Sequence, residues 1–133
     1  MILLDTHVAV WMANNDSALG LDSRKVIAAA RNEDQLSISA VSFWEIALLA
    51  SKDRLELKRD PLQLRNDLLN SGVTELSLTG DICILAVNLR HLHGDPADRF
   101  IAATAIAHDA TLVTADARLL RWRDKLRRQN AAR

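Results

Sequence analysis

The sequence predicts an α/β fold in which a mostly parallel sheet of four or five strands carries helices on both faces. Three observations predict it. Short apolar or alternating runs recur along the chain, stretches with helical apolar spacing separate them, and two Asp-Pro pairs mark helix starts. Strands that alternate with helices favour parallel pairing, because each helix supplies the crossover that returns the chain to the same end of the sheet.

The first strand is Ile2, Leu3 and Leu4, an uninterrupted apolar run. Helices follow at about His7 to Asn14 and Ser23 to Asn32, then Leu36 to Ser39 alternates as a second strand. A helix at about Val41 to Ser51 precedes one at Pro61 to Asn70, whose start is fixed by Asp60 as N-cap and Pro61 at the first helical position. Leu76, Ser77 and Leu78 alternate as a third strand. Ile82, Leu85, Ala86 and Leu89 then fall at i, i+3, i+4 and i+7, the pattern of one buried helix face. Asp95 and Pro96 open a helix to about His108, and the apolar, partly β-branched run Ala110 to Val113 forms the fourth strand. From Arg118 onward the chain carries Arg118, Arg121, Arg123, Lys125, Arg127, Arg128 and Arg133 against Asp124 alone, so this segment reads as a basic, helical tail.

The 133 residues fit one domain spanning 1–133, since single cores of roughly 100 to 150 residues are the commonest size. Apolar residues make up 49% of the chain, enough for a sizeable core without disulfides. Cys83 is the lone cysteine, and its neighbours Ile82, Ile84 and Leu85 predict a buried, packing role consistent with a reducing compartment. The longest mostly apolar stretch, Ile38 to Ala50, contains Ser39, Ser42 and Glu45 and falls short of the roughly 18 residues that a membrane span requires. The start lacks the basic region and cleavage site of a signal peptide, so a cytoplasmic location is expected. Seventeen basic and seventeen acidic residues cancel, so net charge favours no polyanionic partner; the basic tail is either a solvated surface or a contact for nucleic acid or protein.

In such a sheet, strand C-termini and helix N-termini share one edge, where ligands bind. Asp5 ends the first strand, Glu45 follows the second, Asp95 and Asp98 open a helix, and Asp116 lies just past the fourth strand. All five belong to that edge, whereas Asp34 and Asp109 fall at the opposite one. Each acid taken alone is explained equally well as a helix cap, and Ser42 with Glu45 has capping-box spacing. Taken together, carboxylates this close repel unless a cation neutralises them. An oxygen-only donor set suits Mg²⁺ or Mn²⁺ and phosphodiester chemistry better than zinc.

These residues resemble the PIN-domain family, and within it the VapC-type toxins, at four places. Ile2, Leu3, Leu4, Asp5 and Thr6 are similar to the family's first strand, acid and hydroxyl residue. Ser39 through Ile46, with Trp44 and Glu45, resembles its Ser-rich helix bearing the second acid. Asp95, Pro96, Ala97, Asp98 and Arg99 resemble the D-P-x-D-R segment with the third acid, and Val113, Thr114, Ala115 and Asp116 the closing V-T-x-D. The resemblance implies a three-layer PIN-like fold and a metal-dependent endoribonuclease, usually dimeric, held inactive by a cognate VapB-type antitoxin that inserts a peptide near the acids. Asp5, Glu45, Asp98 and Asp116 are then the catalytic metal ligands for Mg²⁺ or Mn²⁺, with RNA as substrate and Asp95 capping its helix. One departure is visible. The family often ends in a short strand, where Trp122 to Gln129 reads as helical and basic.

Thr6 and Thr114 adjoin the acids, where their hydroxyls would orient water on the metal or cap helices. Arg99 either pairs with a site carboxylate or is solvated. Trp11 and Trp44 stack a base, fill the core or form a surface for a second copy, and with Leu48 they are candidates for the antitoxin contact. His91, His93 and Asp95 resemble the zinc motif of metallo-β-lactamase-like hydrolases, but Pro96 stands where that motif needs histidine. No glycine-rich phosphate loop occurs, which argues against nucleotide cofactors. A non-catalytic PIN-like adaptor that only binds protein or RNA is the alternative; loss of an acid would be its signature, and all four are present.

Overall fold

The computed structural model describes residues 1–55 and 57–133. Five strands form one all-parallel sheet: β1 (Ile2–Leu4), β2 (Leu36–Ser39), β3 (Thr74–Leu76), β4 (Thr111–Thr114) and β5 (Arg127–Asn130), in the order β3-β2-β1-β4-β5. The helices are α1 (Thr6–Ala13), α2 (Leu21–Asn32), α3 (Ala40–Ser51), α4 (Pro61–Asn70), α5 (Gly80–Asn88), α6 (Pro96–Ala107) and α7 (Ala117–Arg121). None of them is long and apolar enough to cross a membrane.

Side chains alternate across a strand, and the core splits accordingly into two layers. Leu3 and Leu112 face α5, α6 and α7, where they meet Ile82, Ala86, Ile101 and Leu119. Leu4, Ile38 and Val113 face the other way, towards Val8, Ile27, Ile46, Leu64 and Leu68 of α1 to α4. The central strands are short, and even the polar Ser37, Ser39 and Thr114 on them are buried, because both faces of the sheet are covered. This is the expected three-layer α/β arrangement, and it places the C-terminal ends of β1, β2 and β4 side by side, as the register of Leu4 with Ile38 and Val113 shows.

Three expectations are corrected. The third strand is Thr74–Leu76 and not Leu76 to Leu78: it pairs with Ser37 to Ser39, and because Ser39 already caps α3 there is no ladder partner beyond Leu76. The C-terminal segment is not a basic helix. After α7 the chain turns at Trp122, which is buried and donates its indole N–H to Arg90 O at 2.8 Å, and Arg127–Asn130 then adds to the free edge of β4. Arg128 is not part of a solvated stripe. It donates to Leu119 O at 2.7 Å, to Leu126 O and to Trp122 O, satisfying carbonyls at the end of α7 and in the turn. Cys83 is half-buried, because the apolar stripe of α5 runs through Ile82 and Ala86 and leaves Ile84 and Val87 exposed.

The last residues close back on the start of α2. Ala131 N–H donates to Thr114 O at 2.8 Å, and Gly20 N–H to Ala131 O at 2.8 Å. A Cβ on Gly20 would lie 2.1 Å from Arg133 O, so only glycine fits there.

Candidate functional site

The five acids of the predicted edge converge where β1, β2 and β4 end. Asp5 follows β1 and caps α1, Asp116 follows β4 and caps α7, and Asp95 caps α6 with Asp98 in its first turn. Glu45 projects from α3, which Ser39 caps at the end of β2. Together they line a cleft of about 180 Å³. Asp34 and Asp109 sit in positive-φ turns before β2 and β4, at the opposite edge.

Asp5 is 2% exposed and held rigidly. Its Oδ1 accepts from Thr6 N–H at 2.8 Å and its Oδ2 from the Thr114 hydroxyl at 2.6 Å. Thr114 Oγ1 in turn accepts from Asp116 N–H at 3.0 Å, so the ends of β1 and β4 are joined through one hydroxyl. The Thr6 hydroxyl bonds Ser42 Oγ at 2.9 Å, which ties α1 to α3 below Glu45. The two threonines therefore orient the acids and the elements that carry them.

Asp98, 8% exposed, is hydrogen-bonded to His93 Nε2 at 2.6 Å. Burial pushes its carboxyl up to about 6; His93 offsets this, while the charges of Asp5, Asp95 and Asp116 add to it. Glu45 is likewise raised by burial, eased by the Thr6 hydroxyl and raised further by Asp5 and Asp95. Burial also pushes Asp116 up, but the N–H groups of Leu119 and Arg118 and the Arg118 guanidinium outweigh it and hold the carboxyl below its ordinary value.

The cluster contains two overlapping donor sets whose ligand atoms lie within 4.8 Å of one another: Glu45, Asp95 and Asp98, and His93, Asp98 and Asp116. Asp98 belongs to both. Asp95 does cap α6, accepting from Asp98 N–H at 3.2 Å, and also stands among the acids. The donor chemistry fits a hard divalent cation: oxygen-rich, crowded enough to raise two carboxyls, and open on one side.

Arg99 neither pairs with an acid nor lies in solvent. Its guanidinium donates to Ala86 O, Leu89 O and Leu92 O at 2.9, 2.7 and 2.8 Å, pinning the end of α5 and the loop that leads to His93. Two contributors were not assigned roles from sequence. His93 figures in the sequence only in the incomplete zinc motif, yet it bonds Asp98; Arg118 falls in the basic tail, yet Arg118 Nη2 lies 3.6 Å from Asp98 Oδ2 and 3.4 Å from Asp116 Oδ2. The signal for Arg118 was its place in the first turn after Asp116. Trp44 is 56% exposed, beside an apolar groove with Leu78 and Phe100, and so does not fill the core.

A parallel sheet with acids gathered at its carboxyl edge is the arrangement of an α/β nuclease, and residues 2–125 match the PIN domain. The chain belongs to the PIN-domain family. It is 38% identical to Ribonuclease VapC22 of Mycobacterium tuberculosis over 119 residues, which cover 89% of this chain and 88% of that protein. Its fold is similar to VapBC2 from Rickettsia felis bound to a promoter DNA fragment, with a TM-score of 0.71 and 24% identity over 98% of each chain. It is also similar to DNA-bound VapBC from Salmonella typhimurium, with a TM-score of 0.69 and 18% identity over 96% of each chain.

Proposed function

We propose that this protein is an endoribonuclease that depends on Mg²⁺ or Mn²⁺, and that it acts as the toxin of a toxin–antitoxin pair. The observation that carries this is the convergence of Asp5, Glu45, Asp98 and Asp116 in one cleft, with Asp98 shared between two donor sets. The similarity to a ribonuclease VapC supports RNA as the substrate, and the VapBC assemblies support a small VapB-type antitoxin as partner.

Asp5, Glu45, Asp98 and Asp116 would hold the cation, with Asp95 close enough to join them. A bound divalent ion activates water at neutral pH and stabilises charge that develops on a phosphodiester. Thr114 and Thr6 N–H fix Asp5 before substrate arrives, so little reorganisation is needed during reaction. Asp98 and Glu45, with raised carboxyls, are the groups suited to take a proton from attacking water. Arg118, half-exposed above the acids, offers a guanidinium to a phosphate oxygen. No side chain is required as a nucleophile.

The test is cleavage of RNA by the purified chain in Mg²⁺ or Mn²⁺, with and without excess chelator. Asp5→Asn or Asp98→Asn should remove most of the activity. Cleavage that survives chelation refutes the metal mechanism, and specific RNA binding without cleavage by the wild type favours the adaptor. The toxin role is tested by co-expression with the neighbouring open reading frame. Its product should co-purify and relieve growth arrest, with Trp44 and Leu48 of α3 in the contact surface.

A further inference from the structure

Beside the acidic cleft lies a larger cavity, of about 450 Å³, whose walls include His7, Trp11, Asn14, Asp16 and Lys58. His7, Val10 and Leu55 line both spaces, so the two are contiguous and His7 stands at their boundary. Resting on the ribonuclease reading above, we propose that this cavity is a nucleobase subsite, which takes the base of a single-stranded RNA nucleotide adjoining the phosphate held at the acids.

The chemistry of the walls matches that occupant. The His7 and Trp11 rings meet edge to face, with centroids 5.0 Å apart and planes at 72°, so an aromatic surface is already assembled at the mouth of the cleft. His7 is held in place: its Nε2 accepts the Ala115 N–H at 3.2 Å, and its Nδ1 lies 3.6 Å from Asp5 Oδ2. Held by these two contacts, the imidazole serves as a fixed wall. Trp11 packs partly on the core that contains Val8 and Val10, which fixes the indole as well. Asn14 carries a carboxamide that both donates and accepts, the pairing that base edges require, and the exposed Lys58 supplies a cation for the adjoining backbone. A phosphate at the acids leaves its attached nucleoside to occupy the neighbouring space, and stacking on aromatic side chains is how proteins hold unpaired bases.

The experiment uses the whole chain with Mn²⁺ and a short single-stranded RNA in which the cleaved bond has been mapped. Trp11→Leu and Asn14→Ala should each raise KM about tenfold, the order expected for one stacked base, and leave kcat within about twofold. Removing the base next to the cleaved bond from the substrate should cost the wild type at least that factor, and should cost Trp11→Leu less than it costs the wild type. Asn14→Ala, a change at a half-buried helix end, keeps the inference testable if Trp11→Leu fails to fold. Unchanged KM in Asn14→Ala and full wild-type activity on the abasic substrate would overturn the subsite while leaving the ribonuclease intact. Normal KM with loss of antitoxin binding would assign the cavity to the protein partner and overturn it as well. A wild type that cuts no RNA would instead overturn the function on which the subsite rests.

Discussion

Thr114 shows how much of the site is decided by single hydroxyls. It is fully buried, accepts from Asp116 N–H and donates to Asp5 Oδ2, so it sets the distance between two acids that repel. Replacing such a supporting partner commonly costs 10- to 100-fold in metal affinity or activity. Thr114→Val, nearly equal in volume, should lower kcat by about that factor, and Thr114→Ser should restore most of it; steady-state cleavage kinetics in saturating Mn²⁺ check both. An unchanged Thr114→Val would mean that Thr6 N–H alone fixes Asp5. At this scale the sequence was informative about the acids, because their type and their positions after strands carry the chemistry. It pointed to no contact with the acids for His93 or Arg118. A lone histidine or arginine has no spacing signature: His93 reaches Asp98 when the loop before α6 folds back on its first turn, and Arg118 only once α6 and α7 are set side by side.

At the scale of elements, Arg99 joins three of them. Its guanidinium satisfies carbonyls at the C-terminal end of α5 and in the loop before α6, and that loop carries His93 to Asp98. Hydrogen bonds from a charged donor contribute about 1.5–3 kcal/mol each when they are lost unreplaced, but part of this is recovered by water at a half-buried site. Arg99→Gln should therefore destabilise the fold by about 2 kcal/mol, read as a shift in urea midpoint at constant m-value, and should also reduce cleavage because His93 loses its support. Loss of stability without loss of activity would separate the clamp from the site. The strands that were legible, β1 and β2, are apolar or cleanly alternating. The strand that was missed, β5, is Arg127, Arg128, Gln129 and Asn130: no apolar alternation marks it, because it is an edge strand recruited by the open side of β4 and fixed by Trp122, Leu126 and Ala131 around it. Only the tertiary context makes that segment extended.

For the molecule as a whole, an acidic edge that gathers a cation should couple folding to pH and to metal. In the metal-free fold Asp98 keeps its proton up to a pKa of about 6, against an ordinary carboxyl value near 4, and Glu45 is raised in the same direction. Between those values the folded chain binds more protons than the unfolded chain, so this contribution to stability is complete below about pH 4 and is lost as pH rises to about 6. Asp116, held low, acts oppositely and only below its ordinary value, so it does not cancel the loss across this window. A divalent cation bound to the folded state alone adds RT ln(1 + [L]/Kd), about 2.7 kcal/mol at 100 times Kd, and should offset most of the penalty at neutral pH. Thermal melts in chelator should therefore fall from pH 4 to pH 6, and melts at pH 7 should climb with Mn²⁺ or Mg²⁺ concentration. Asp98→Asn removes the most strongly raised carboxyl and the carboxylate common to both candidate donor sets. Its metal-free melting temperature at pH 7 should equal or exceed that of the wild type, and its metal-induced rise should shrink. A wild-type melting temperature indifferent to both ions up to millimolar concentration would mean that the carboxylates act as helix caps and do not gather a cation.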